Sequence, residues 1–351
     1  MPGLYYCTIE DVRDALESKA SAYDKRRIGQ AVEAATSDVD DVVQQHTGHF
    51  RPIIETRYFD WPPPQTSYRW RLWLDGNALI SVLALTSGGV TIPATDYFLE
   101  PQAYGPPYNR IEIDRGSSAV FDYTGGTSQR AVAALCLWGQ ADDRETAGAL
   151  DGAINDSVTA LTVTDGSTVG VGDHLVIGDE RLIVTAKSWT DSGQNISADL
   201  AASEAARTVA VSTGSEYTAG ELLLVDSERL LILDVAGNNL TVQRAVDGSV
   251  LAAHTTGADI YARRGCTVER GARGSTAASH LDAASIERHL VPGDVRELTI
   301  ASAVTNLLSG RAGYAREYGP QGSGTKLGVG LSDLRERVRG AYGQLARFRT
   351  V

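Results

Sequence analysis

The chain has 351 residues, 42% of them hydrophobic and 22% charged, which is ordinary globular composition and enough for two or three domains. Its formal net charge of −12 argues against a tight nucleic-acid binder, whose affinity comes from a basic face that neutralises phosphates. No apolar run approaches the ~18 residues of a membrane span, and "MPGLYYCTIEDVRDALES" lacks the basic start and apolar core of a secretory signal, so a cytoplasmic product with no membrane partner is expected.

Two helices open the chain. Thr8 with Asp11 three residues on makes a capping-box pattern, and Ile9, Val12 and Leu16 follow at helical spacing. Ile28, Ala31, Ala35, Val39 and Val42 then form one apolar stripe on a longer helix, which Gly48 is expected to stop. His46 and His49 at that stop read as helix-end cations facing the dipole.

From Phe50 to Gly139 the texture is that of strands. Asp75-Gly76-Asn77 between apolar runs signals a hairpin, and "NRIEIDRG", "AVFDYTGG" and "RAVAALCLWG" are three further candidate strands. Aromatic residues concentrate here: Tyr58, Phe59, Trp61, Trp70, Trp73, Tyr97, Phe98, Tyr104 and Tyr108. They read as sheet core and subunit contact, with an aromatic cleft for sugar as the other use.

The middle holds an internal repeat. Asp165–Val184 overlays without a gap on Thr213–Ile232 at an offset of 48 residues, matching Gly172 to Gly220 and Glu180-Arg181 to Glu228-Arg229. Each unit reads as a small β-module present in tandem. Duplication alone accounts for the two glutamates, and glutamate then arginine is expected on alternate faces of a half-exposed strand.

Helices return at the end. Asp294 and Glu297 suggest a capping box, followed by Leu298, Ala301 and Leu308 along one side. A glycine-rich stretch spans Gly319 to Gly330, and Ser332 is the expected N-cap of a last helix with Leu331, Leu334, Val338, Tyr342 and Leu345 in a stripe. Its other face carries Arg335, Arg337, Arg339, Arg347 and Arg349, so this basic helix on an acidic protein is expected to meet a partner.

Candidate chemistry is thin. In "GPQGSGTK" Thr325 separates Gly324 from Lys326, which breaks the phosphate-loop pattern. Cys7, Cys136 and Cys266 form no C-x-x-C and are expected to be buried thiols; His174, His280 and His289 stand apart from other catalytic types. His254, in "RAVDGSVLAAHTTGADIY", has Asp247 and Asp259 in range but finds no histidine in the aligned part of the first repeat, "NISADLAASEAA". No catalytic, cofactor-binding or metal-binding residue is assigned, and no cofactor is expected.

The segments "CTIEDVRDAL", "IGQAVEAATSDVDDVV", "TRYFD", "LWLDGNALISVLALTSGGVTIPATDYFLEP" and "RAVAALCLWG", with the ending "ASAVTNLLSGRAGYAREYG…LRERVRGAYGQLARF", resemble the head-to-tail connector (adaptor) proteins of long-tailed double-stranded DNA bacteriophages. The likeness covers the first ~140 and last ~60 residues and is one of pattern and order. It implies an α+β fold in which N- and C-terminal helices pack as a helical connector core, beside a β-rich domain and an inserted tandem module of small β-barrel or sandwich type. The parts would be residues 1–50, the first helices; 51–145, the β-rich domain; 146–265, the module, with repeats at about 157–204 and 205–261; 266–293, a linker; and 294–351, the last helices.

The resemblance further implies a structural virion protein rather than an enzyme: a self-assembled, dodecameric ring beneath the portal protein at the head–tail junction. It would dock a downstream connector, stopper or tail terminator and let packaged DNA pass through its lumen without sequence-specific binding. Portal docking would fall to 331–351, through Leu331, Leu334, Arg335, Val338, Arg339, Tyr342, Leu345, Arg347, Phe348 and Arg349. A tail or baseplate module binding carbohydrate or host surface is the alternative. Arginine, glycine and histidine at a similar spacing close small β-modules in other phage structural proteins, so His254 is expected to hold its link by hydrogen bonds to nearby backbone.

Overall fold

The computed structural model describes residues 4–16, 24–46, 48–61, 70–123, 127–312 and 329–343. Helix α1 (Ile9–Ala15) starts at Thr8, whose Oγ1 accepts from the Asp11 amide at 3.0 Å while Asp11 accepts from the Thr8 amide at 2.8 Å, completing the capping box. Helix α2 (Lys25–Val43) buries Ile28, Ala31, Ala35, Val39 and Val42, the stripe its spacing predicts. It ends at a left-handed Gln44 rather than at Gly48, which sits in the turn beyond and donates its amide to Asp40.

Strands β1 (Ile53–Phe59), β2 (Arg71–Trp73), β3 (Leu79–Ser87), β4 (Val90–Thr91), β5 (Tyr97–Glu100), β6 (Arg110–Ile113) and β7 (Val132–Trp138) form two antiparallel sheets, ordered β1-β7-β3-β4 and β2-β6-β5. Their inner faces share one core, with Phe59, Leu85 and Trp138 from the larger sheet against Leu72, Ile111 and Ile113 from the smaller. Asp75-Gly76 does turn the chain, but β2 and β3 enter different sheets, so the expected hairpin is instead a crossing between sheets. "AVFDYTGG" forms no strand over its described residues.

Ten strands then build one large antiparallel sheet: β8 (Arg144–Ala149), β9 (Ala160–Thr162), β10 (His174–Ile177), β11 (Glu180–Asn195), β12 (Thr208–Ala210), β13 (Leu222–Val225), β14 (Glu228–Ala236), β15 (Asn239–Gln243), β16 (Asp259–Glu269) and β17 (Ser285–His289). The long strands β11 and β16 pair from Ile183↔Glu269 to Asn195↔Asp259 and run through both repeat units. Around one end lie β8, β9, β10 and β17, with Leu150, Leu175, Leu182 and Ile286 in their core. Around the other lie β12 to β15, enclosing Val209, Leu223, Leu230 and Leu240. The second unit is therefore inserted within the first. The stretch 266–293, expected as a linker, carries the end of β16 and all of β17, and so completes the first unit.

Helices α3 (Gly293–Ala312) and α4 (Val329–Tyr342) return to α1 and α2, burying Val12, Ile28, Ala303 and Leu307 in one cluster and Tyr6, Val39, Phe50, Leu298 and Val338 in another. Helix α4 begins before Ser332, which lies inside it.

A helical connector core is not what organises this molecule. Among the described residues strands make up 36% and helices 24%, and the four α-helices there lie beside large antiparallel sheets. Helical periodicity reads correctly at both ends of the sequence, but the β-domain and the nested module together hold most of the buried apolar residues.

At the seam between the β-domain and the first unit, Gly274 has φ +79° and a Cβ there would overlap the carbonyl oxygen of Ile54 on β1. Gly152 has φ +96° with open space around it. Gly274→Ala is expected to lower stability by about 3 kcal/mol and Gly152→Ala by about 1 kcal/mol, since only the first adds overlap to backbone strain. Equal shifts in urea midpoint would show that the seam yields.

Candidate functional site

Glu228 opens β14 on the inserted unit with no exposed side-chain surface. Arg244 donates Nε to its Oε1 and Nη2 to its Oε2, both at 2.7 Å, and the amides of Ala245 and Ala252 donate at 3.0 Å. His254 places Nε2 2.9 Å from Glu228 Oε2 and Nδ1 2.7 Å from Asp226 Oδ2. The remaining donors of Arg244 reach the carbonyls of Ala201, Ala206 and Ala252. One buried ion pair thus ties down the segment 244–254.

The first unit repeats the arrangement. Arg270 donates Nε and Nη2 to Glu180 at 2.7 and 2.8 Å, the Gly271 and Ala278 amides donate at 3.0 Å, and His280 Nε2 lies 2.7 Å from Oε2. Ser275 Oγ accepts from the Arg181 amide as Ser249 Oγ does from Arg229, both at 2.9 Å. The backbone of His280 pairs with Ile154 as that of His254 pairs with Leu200. Positive φ recurs at Ala245, Asp247 and Gly248 and at Gly271, Arg273 and Gly274.

Three expectations are corrected here. Glu180 and Glu228 are not on a half-exposed strand face but at the buried centre of each clasp. The His254 ring contacts carboxylates, leaving backbone contact to its own amide and carbonyl. His254 also has a counterpart, His280, which lies downstream because the first unit resumes after the second. The signal was present in the sequence: "RAVDGSVLAAH" and "RGARGSTAASH", residues 244–254 and 270–280, align without a gap at arginine, glycine, serine, alanine and histidine.

Burial works against charge on both glutamates, but the donors outweigh it, those of Arg270 first at Glu180 and those of Arg244 first at Glu228, holding each carboxyl at about 2. A carboxylate so engaged and so acidic has no proton-transfer work available near neutral pH. Asp247 pairs with Arg13 at 2.8 Å and Asp259 accepts from Asn195 at 2.7 Å, so neither joins His254.

A second polar cluster lies where helices, β-domain and first unit meet. Arg51, 2% exposed, donates Nε to the Tyr5 carbonyl at 2.8 Å and Nη1 to the His289 carbonyl at 3.1 Å. His289 Nε2 faces the Ala141 carbonyl at 3.1 Å, which makes it the donor nitrogen and leaves Nδ1 to face Arg51. Burial, reinforced by Arg51, lowers His289 to about 3 and pushes the buried His174 well below the usual imidazole range. Arg273 donates to the carbonyls of Pro52 and Arg51, stitching the first clasp to the β-domain. His49 is likewise no helix-end cation: it is buried against Gln140 at 3.0 Å, and burial lowers its pKa.

Of the residues expected to dock a portal, Val338 is fully buried, and Leu331, Leu334 and Tyr342 pack with it on α2, α3 and Phe50. Arg335 pairs with Asp38 at 2.6 Å, and Arg337 beside it with Glu297 at 3.2 Å; Arg339 is exposed. Leu345, Arg347, Phe348 and Arg349 lie outside the described residues, as does "GPQGSGTK". The three cysteines are buried and unpaired, and among the described residues no group of three or more His, Cys, Asp or Glu is arranged to hold a metal ion. No helix among them is long and apolar enough to cross a membrane. A cleft of about 800 Å³ between α1 and the two units is crossed by the pairs Arg13–Asp247 and Arg263–Glu10 at 2.8 and 3.0 Å. No family model, curated protein or solved structure matches the chain.

Glu228→Gln would turn an amide donor toward Arg244 and leave that guanidinium without its counter-charge. A loss of about 3–5 kcal/mol is expected. Hydrogen exchange should rise across 196–258 with the first unit still protected, and exchange spread evenly over both units would mean they do not unfold separately.

Acid should act in two steps. His289 and His174 are neutral when folded but take a proton near 6.5 when unfolded. Their contribution is full above that value and falls as pH drops, by up to about 1.4 kcal/mol per pH unit for each ring. The two glutamates contribute fully above the ordinary 4.5 and lose that contribution as pH falls towards about 2. Urea midpoints measured from pH 7.5 to 5 should decline, less steeply in His289→Gln; a flat wild-type profile contradicts this assignment.

Proposed function

We propose that this chain is a structural subunit of a bacteriophage virion, a head-to-tail adaptor that assembles as a ring of copies beneath the portal, extends the DNA channel and docks the tail or next connector. The observation that carries the reading is the duplicated clasp. Two glutamates and two histidines, Glu180, Glu228, His254 and His280, residue types that serve acid–base chemistry in enzymes, are spent on fastening two nested β-units, which is the use a rigid assembly part has for them. The resemblance of the first and last segments to connector proteins supports the same reading, and does so without a helical core. An acidic chain also suits a channel through which DNA must slide without being held. With the apolar side of α4 packed internally, portal contact falls to Arg339 and the segment beyond it.

A second reading, a tail or baseplate part that binds carbohydrate, is favoured by one observation. Trp73, Phe98 and Tyr104 are exposed on or beside the smaller sheet, with the guanidinium carbons of Arg71 and Arg110 5.7 and 5.3 Å from the Trp73 ring centre.

Tagging the chain in intact particles and locating it by cryo-electron microscopy separates the two. A ring at the head–tail junction is expected; density at the tail tip, with glycan binding lost in Trp73→Ala, would establish the second, and absence from the particle would reject both.

A further inference from the structure

We infer that copies of this chain associate head to tail through the two outer faces of the β-domain, the β1-β7-β3-β4 face of one copy seating on the β2-β6-β5 face of the next. This deepens the ring-subunit reading above.

Exposed apolar surface is concentrated in this domain. Among the described residues thirteen large hydrophobic side chains are exposed; eight of them, including all five aromatics, fall between Tyr58 and Tyr123. Small domains rarely leave so much apolar surface to water without a partner for it.

Strand register assigns side chains to each outer face. On the larger sheet Phe59, Leu85 and Ala134 point into the core, so the alternate positions point out. The rows are Thr56↔Leu135↔Ala84 and Tyr58↔Ala133↔Thr86, with Tyr58 59% exposed. None of these six is charged, whereas the solvated face of an antiparallel sheet normally alternates to polar and charged residues. On the smaller sheet Leu72, Ile111 and Leu99 point inward, leaving Phe98↔Glu112↔Arg71 and Glu100↔Arg110↔Trp73 outward. Two arginines and two glutamates cancel there, with Arg71 and Arg110 both 2.7 Å from Glu112 and Phe98 50% exposed.

Charge selects the occupant. Copies of a chain carrying −12 repel one another over most of their surface and approach most easily where the local charge is zero, as it is on both faces. Placement selects the mode. The two faces lie on opposite sides of one shared core, so a face-to-face contact between them is heterologous and repeats from copy to copy, as a ring requires, instead of closing a two-fold pair.

Cross-linking tests this directly, since the native thiols are buried. Full-length Tyr58→Cys and Phe98→Cys chains are mixed at about 1 mM, where weak contacts are populated, and treated with a short bismaleimide. A cross-linked pair is expected from the mixture, a ladder of multiples from the double variant, and a ladder reduced about tenfold when Thr56→Asp adds charge to the neutral face. Tyr58→Cys linking to itself as well as to its partner would overturn the proposal in favour of a two-fold contact. A double variant that stays single, or that sediments as an oligomer without a ladder, would also overturn it. Particle location is independent: a junction ring without a ladder leaves the adaptor reading intact and rejects these faces, and a ladder from a chain absent from particles does the reverse.

Discussion

A carboxylate taken out of water is among the most expensive groups to bury, and it stays charged only when donors surround it. Glu228 meets that demand with two arginine N–H groups, two backbone amides and an imidazole, and Glu180 meets it the same way. The requirement runs in both directions. Segments 244–254 and 270–280 contain little regular structure and few large apolar side chains, so hydrophobic burial alone would not fix their paths. Converging on one charge gives their backbone groups partners, and the left-handed residues in each segment are the turns needed to bring two amides onto the same two oxygens.

The clasp also explains how one unit can sit inside another. Each unit is closed by its own glutamate, arginine and histidine, and the paired strands β11 and β16 run through both. Insertion interrupts the first unit between its glutamate and its arginine, a separation of 90 residues against 16 in the second, and the geometry at the carboxylate is the same. Loop length adds little to the entropy of closure once the strands are registered, which is why so long an excursion is tolerated.

Legibility followed the range of the interactions involved. The α1 capping box, the α2 stripe and β7 were readable because each rests on residues a few positions apart. A 48-residue offset exposed the first half of the repeat, but nesting moved the second half to an offset of 26, so Arg270 and His280 looked unrelated to Glu180. The pattern of an α4 stripe was equally plain, yet a stripe says only that a helix is covered on one side; Phe50 and Leu298 of the same chain supply the cover. Asp75-Gly76 shows the converse limit, since a turn signal fixes a reversal without saying which sheet receives the next strand.

Because the inserted unit leaves on β11 and returns on the adjacent antiparallel β16, its two ends stand side by side at Thr190↔Ala262. A gene could therefore gain or lose the whole unit by joining two neighbouring strand ends with a tight turn, and the host unit would keep every ligand of its own clasp. Relatives of this chain should then differ in length by whole units inserted at that ribbon, a form of growth in which each addition arrives with its fastening already built in.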